Sequence, residues 1–165
     1  MKDEQPVCRY EAIRLDLTDR PKRRALFSQI GREAKRVLVV TEGLLVYLTA
    51  EDVADLARDL HEERTFQWWL IDIIVPRLMK MIQKSWGKEL EAGNAPFKFA
   101  PEAGTKFFEP TGWQELEFYS SMAEARRLDR EMRGMWLWRF LGKLSSKKKQ
   151  AEFRRMSGFP LLERT

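Results

Sequence analysis

One run of apolar and β-branched residues constrains the fold of this chain more than any other feature. The run is Arg36-Val37-Leu38-Val39-Val40-Thr41, and Glu42 with Gly43 ends it. A continuous apolar run of this length is typical of a strand that is buried on both faces of a parallel sheet. The run therefore predicts a sheet that carries helices on both of its sides.

Strand-like and helix-like segments alternate along the rest of the chain. Strands are predicted at 10–15, 66–73, 113–120 and 158–164, and helices at 19–34, 49–60, from Pro76 onward and from Ser121 onward. Asp19 is the expected N-cap of the first helix, and Thr49 with Asp52 forms a capping pair for the second. The alternation predicts an α/β layered sheet with right-handed crossovers. The 165 residues are expected to form a single domain.

Two carboxylates follow predicted strands, where ligands bind in sheets of this kind. Glu42 is an acceptor at a strand end, Gly43 lets a ligand approach the backbone closely, and Tyr47 adds an aromatic face and a hydroxyl. These residues predict a cofactor pocket. The alternative interpretation is a solvated strand-end carboxylate and a core tyrosine.

The other carboxylate belongs to Leu15-Asp16-Leu17. An aspartate at a strand end can accept a hydrogen bond from an exocyclic amine, while the next backbone N–H donates to a ring nitrogen. The pair suits the edge of an adenine. Alternatively, Asp16 caps the helix that follows.

The string Thr41-Glu42-Gly43-Leu44-Leu45-Val46-Tyr47-Leu48, preceded by Leu15-Asp16-Leu17, resembles the leucine carboxyl methyltransferase-like family of class I S-adenosylmethionine-dependent methyltransferases. The resemblance extends from Tyr10 over nearly the whole chain. Supporting segments are Phe97-Lys98-Phe99, Gly112-Trp113, Glu124-Ala125-Arg126-Arg127-Leu128 and Ser157-Gly158-Phe159.

The resemblance implies a Rossmann-like sheet, S-adenosyl-L-methionine as the cofactor, and methyl transfer to the carboxylate or hydroxyl oxygen of a small molecule. Asp16 and Leu17 match the pair that meets the adenine. Glu42, with Gly43, matches the acidic position beside the ribose–methionine portion, and Tyr47 lies toward the acceptor. No residue is assigned as catalytic, and no metal is required.

Several parts of the family pattern have no counterpart in this sequence: the glycine-rich loop after strand one, the acidic residue after strand two, and the N-terminal basic residues. In the family order 3-2-1-4-5-7-6, the strand ending at Asp16 is the third. We therefore expect an N-terminally truncated sheet that lacks two βα units, roughly 60 residues, and that is inactive on its own. Its exposed edge predicts self-association or pairing with another chain. Pro160 requires a bulge or an edge in the last strand.

Positive charge is concentrated late in the chain. The net charge is +5, whereas residues 126–155 carry +8. Such a local excess is a surface feature, and it argues against a nucleic-acid partner. We expect this segment to form a basic, helical, lid-like element containing Met135–Leu141. Two alternative functions remain: a membrane-surface module that uses residues 126–155, and a non-catalytic remnant or interaction subunit.

The remaining sequence features are mainly exclusions. No apolar run is long enough for a transmembrane helix, and the N-terminus lacks a secretory signal. The single cysteine, Cys8, and the single histidine, His61, leave no zinc cluster. We expect a cytoplasmic protein in which Cys8 is inert and His61 lies at a helix C-terminus.

Overall fold

The computed structural model describes residues 7–92, 96–130 and 146–165. The strands are β1 (Val37–Thr41), β2 (Phe66–Ile71), β3 (Ile73–Ile74), β4 (Trp113–Ser120) and β5 (Ser157–Arg164). The helices are α1 (Arg20–Glu33), α2 (Ala50–Glu62), α3 (Pro76–Ala92), α4 (Ser121–Arg127) and α5 (Lys147–Arg154), with 3₁₀ segments at Leu45–Tyr47 and Gly104–Thr111.

The strands form one mixed sheet. β1 pairs with β2 in parallel, and β5 pairs antiparallel with β2 on one side and with β4 on the other. The order β1-β2-β5-β4 matches the 4-5-7-6 part of the class I methyltransferase order. The predicted α/β, Rossmann-like sheet is therefore confirmed.

The strand predicted at residues 10–15 is wrong. These residues pair with no strand among the described ones, and Tyr10 is 73% exposed and Ile13 51% exposed. An extended segment gains the stability of a strand only when a neighbour takes up its N–H and C=O groups. No such neighbour is described beside this segment.

The caps predicted at Asp19 and at Thr49 with Asp52 are confirmed. The Asp19 carboxylate accepts a hydrogen bond from the backbone N–H of Lys22 at 3.2 Å. Thr49 and Asp52 form a reciprocal capping box, in which each side chain accepts from the backbone N–H of the other residue. These contacts satisfy N–H groups that a helix N-terminus leaves without partners.

Pro160 interrupts the ladder between β2 and β5. The registers Leu70↔Leu161 and Ile73↔Gly158 set Pro160 opposite Ile71 and Phe159 opposite Asp72. No strand pair forms at either position, because proline has no N–H to donate. On its other side, Pro160 pairs with Phe118 of β4, and the irregular register between Glu115 and Glu117 lies in β4, away from Pro160. The predicted bulge or edge at Pro160 is therefore wrong: β5 lies between β2 and β4, and the missing N–H is accommodated by the interrupted ladder toward β2.

Aromatic side chains dominate the core. The Trp69 ring contacts Phe108 and Trp113 edge-on, at centroid distances of 5.3 and 5.7 Å, and all three side chains are fully buried. Both buried indole N–H groups donate: Trp69 to Thr41 Oγ1 at 3.0 Å, and Trp113 to the Ala57 carbonyl at 2.9 Å. The second bond ties α2 to the sheet.

Candidate functional site

The candidate site lies at the carboxyl ends of β1 and β2. These strands are parallel and end in register, with Thr41 beside Ile71. The next residues, Glu42 and Asp72, therefore leave the sheet at the same edge. The backbone N–H of Gly43 donates to Oδ1 of Asp72 at 3.2 Å, which joins the two strand ends directly.

Asp72 is the site residue that the sequence analysis missed, because it lies inside the apolar run 66–74. Pro160 ends strand pairing at this point, and the Asp72 carboxyl group turns toward Gly43. Burial raises the pKa of Asp72, and the nearby negative charge of Glu42 raises it further, while the Gly43 N–H opposes both effects. The sequence signal that could have identified Asp72 is a lone aspartate within an apolar strand, since aspartate is seldom fully buried unless it is paired.

The predicted residues Glu42 and Gly43 are both exposed. Gly43 has φ +61°, which favours glycine, and a Cβ built there would meet no atom within 4 Å. The backbone of Gly43 therefore borders open space. The site thus offers two carboxylates, one open and one half-buried, beside a backbone that a ligand can approach.

Tyr47 lies on the 3₁₀ segment that follows Gly43. The carbonyl of Val46 accepts hydrogen bonds from the N–H groups of Lys98 and Phe99, at 2.7 and 3.1 Å. This pairing holds the Phe97 ring edge-on to Tyr47, with centroids 5.5 Å apart. The Tyr47 side chain remains 38% exposed, so the core-tyrosine interpretation does not hold.

Asp16 and Leu17 are placed differently from Glu42 and Gly43. Asp16 accepts from the N–H and the hydroxyl of Thr18, at 2.9 and 2.8 Å, and these bonds lower its pKa. The helix cap is Asp19, not Asp16. Within the described ranges, no hydrogen bond or ion pair links Asp16 or Leu17 to the β1–β2 edge.

A buried ion pair fixes the position of Leu17. Arg23 and Asp59 are 3% and 1% exposed, and the Arg23 guanidinium donates through two nitrogens to Asp59 Oδ2. Its third nitrogen donates to the Leu17 carbonyl at 2.6 Å. Arg20 also pairs with Asp59, at 3.0 Å. The pair therefore clamps α1, α2 and the preceding segment together.

Only the ends of the basic segment 126–155 are described. Lys147, Lys148 and Lys149 open α5 and are all exposed. The predicted lid residues Met135–Leu141 lie outside the described residues.

The described residues also bear on the expected exclusions. In the described ranges, His, Cys, Asp and Glu form no group that could hold a metal ion, and no helix is long and apolar enough to span a bilayer. Cys8 is exposed. His61 lies in the last turn of α2, 3.3 Å from the Thr165 carbonyl.

No family model and no curated protein matches the chain. Among solved structures, the chain is similar to the magnesium protoporphyrin IX methyltransferase (ChlM) from Synechocystis PCC 6803 with bound SAH. The TM-score is 0.44 at 9% identity, over 82% of this chain and 48% of that chain. The chain thus spans about half the length of that enzyme. Because this similarity is weak, a function has to be argued from the residues of this chain.

Proposed function

We propose that this chain binds S-adenosylmethionine at the carboxyl ends of β1 and β2, as part of an O-methyltransferase of the leucine carboxyl methyltransferase-like type. The acceptor is a carboxylate or hydroxyl of a small molecule. The observation that carries the proposal is the Glu42-Gly43 pair of the Thr41–Leu48 motif, which lies beside Asp72 at the strand ends of the matching sheet order.

The donor set at this edge fits such a cofactor. Glu42 offers carboxylate oxygens to the ribose–methionine portion, and the φ +61° backbone of Gly43 leaves open space for it. Asp16 and Leu17 are proposed for the adenine, as the motif implies. When bound, the cofactor supplies an activated methyl group on a sulfonium, so that the protein needs to position and shield the reactants more than to activate them.

The acceptor side is proposed at Tyr47. Its exposed ring, held by Phe97, offers an apolar wall and a hydroxyl that can hydrogen-bond an acceptor oxygen. Asp72 acts on the backbone: its carboxyl group accepts from the Gly43 N–H and so holds the turn that presents Glu42. We place the protein in the cytoplasm, because its single cysteine, Cys8, is free, as is usual where thiols are kept reduced.

Calorimetric titration with S-adenosylhomocysteine tests the cofactor proposal. We expect saturable heat with the unchanged chain and roughly 10- to 150-fold weaker binding for Glu42→Gln, since a lost charge-assisted hydrogen bond costs about 1.5–3 kcal/mol. Glu102→Gln is the matched control, because Glu102 is an exposed glutamate on a different segment. An absence of heat at millimolar ligand, or equal affinities for the two variants, would overturn the proposal.

A further inference from the structure

The outer edge of β1 has no partner among the described strands. β1 pairs with β2 on one side only. The Val37 N–H donates to the Thr65 carbonyl at 2.7 Å, and backbone groups alternate in direction along a strand. Val37, Val39 and Thr41 therefore face β2, whereas Leu38 and Val40 direct their N–H and C=O groups to the free edge.

The same two residues expose apolar side chains, with Leu38 at 54% and Val40 at 56%. A free edge with exposed apolar residues is a template for pairing with another strand.

The sequence of β1 is complementary to itself when two copies run antiparallel. A twofold axis at Val39 sets Leu38 of one copy opposite Val40 of the other, and it brings Arg36 and Glu42, which directly precede and follow β1, together across the interface. Arg36 and Glu42 are both exposed. We propose that two copies of this chain associate through β1, antiparallel about Val39, to form one continuous sheet.

The backbone directions agree with this register. Leu38 and the partner's Val40 would form a hydrogen-bonded pair and exchange both of their N–H···O=C bonds. The twofold axis repeats this pair, so that four backbone hydrogen bonds cross the interface. In the same pairing, Leu38 and Val40 cover each other on one face of the sheet.

Charge selects this register over its neighbours. A shift of two residues in one direction keeps the apolar face but sets Arg36 opposite Val40. A shift of two residues in the other direction sets Arg36 beyond the end of the partner's strand. Either shift removes both ion pairs. A second copy therefore fits the edge better than an arbitrary apolar strand does. The association depends on β1 and on the residues that flank it, including Glu42, which the proposed function also assigns to the cofactor, and it requires no bound cofactor.

Sedimentation equilibrium of the purified chain over a range of concentrations tests the proposal. We expect a reversible species of twice the 19.6 kDa chain mass. Arg36→Glu and Glu42→Arg each set like charges opposite each other, and each should raise the dimer dissociation constant at least about tenfold. The double variant R36E/E42R restores opposite charges and should restore the dimer.

Lys106→Glu is the matched control, because Lys106 is an exposed lysine far along the chain from β1, and we expect it to leave the dissociation constant unchanged. Circular dichroism checks that each variant is folded. A chain that is monomeric at every concentration would overturn the proposal. So would a dimer that Arg36→Glu leaves intact, or one that the double variant fails to restore.

Discussion

The backbone N–H of Gly43 donates to Oδ1 of Asp72 across 3.2 Å, and this bond ties the end of β1 to the end of β2. Both residues sit where their strand stops, and the bond holds the turn that carries Glu42. Pro160 makes this hydrogen bond possible, because it ends the ladder opposite Ile71 and leaves Asp72 without strand pairing to β5.

Asp72→Asn should stabilise the fold at pH 7 by less than about 1 kcal/mol, because the group is only half buried and solvent screens its charge. Its folded pKa is raised, chiefly by burial. The stability contributed by the protonated form is therefore fully present below the unfolded pKa and is lost as the pH rises through the folded pKa. Asparagine keeps an oxygen to accept from Gly43.

Urea unfolding at two pH values checks this expectation. The gain should be present at pH 7 and absent near the unfolded aspartate pKa of about 3.9. A loss of stability that is equal at both pH values would show that the negative charge of Asp72 does not oppose folding.

Asp59→Ala should cost about 3–5 kcal/mol, because it leaves the buried Arg23 guanidinium without its counter-charge. Arg58→Ala is the contrast: Arg58 is 50% exposed in its pair with Asp55, and its loss should cost less than about 1 kcal/mol. Chemical denaturation of both variants measures the difference. Similar costs would mean that burial does not distinguish the two pairs.

Gly43→Ala should cost about 1–2 kcal/mol, through backbone strain at φ +61° alone, since no atom lies near the added methyl group. Gly112→Ala should cost more, about 2–4 kcal/mol, because its φ is +86° and the methyl group would also overlap the His61 ring. Thermal melts of the two variants rank the costs. The reverse order would contradict the described turn at Gly43.

Thr41→Val should cost about 1–3 kcal/mol, although the two side chains have nearly the same shape. The substitution removes the hydroxyl that accepts from the buried indole N–H of Trp69 at 3.0 Å, and an unsatisfied buried donor carries that penalty. Thr41→Ser retains the acceptor and should lose less stability. Urea titration followed by tryptophan fluorescence compares them, and an equal loss would rule out the hydrogen bond as the cause.

The sequence predicted well where the physical cause is local. The strand at β1, the Asp19 cap and the Thr49–Asp52 capping box are each specified by residues within a few positions of one another, so pattern and structure agree on them. The predicted burial of β1 on both faces is wrong, because Leu38 and Val40 are 54% and 56% exposed. The Glu42-Gly43 turn is also specified locally, because glycine readily adopts the positive φ with which the chain turns at the end of β1.

Tertiary structure decided the rest, because the causes act between distant segments. Residues 10–15 have a strand-like pattern, but no neighbouring strand is described to take up their hydrogen bonds. Arg23 and Asp59 look like solvated charges until α1 and α2 bring them together and exclude water. In the sequence, Asp72 lies within a strand-like run. Only in the folded chain does Pro160, which is 88 positions later, interrupt the ladder beside it. Local patterns in the sequence were enough to place β1, β2, β4, β5 and the caps at Asp19 and Thr49, whereas the packing of separate elements determined which charges are buried and which carboxylate meets Gly43.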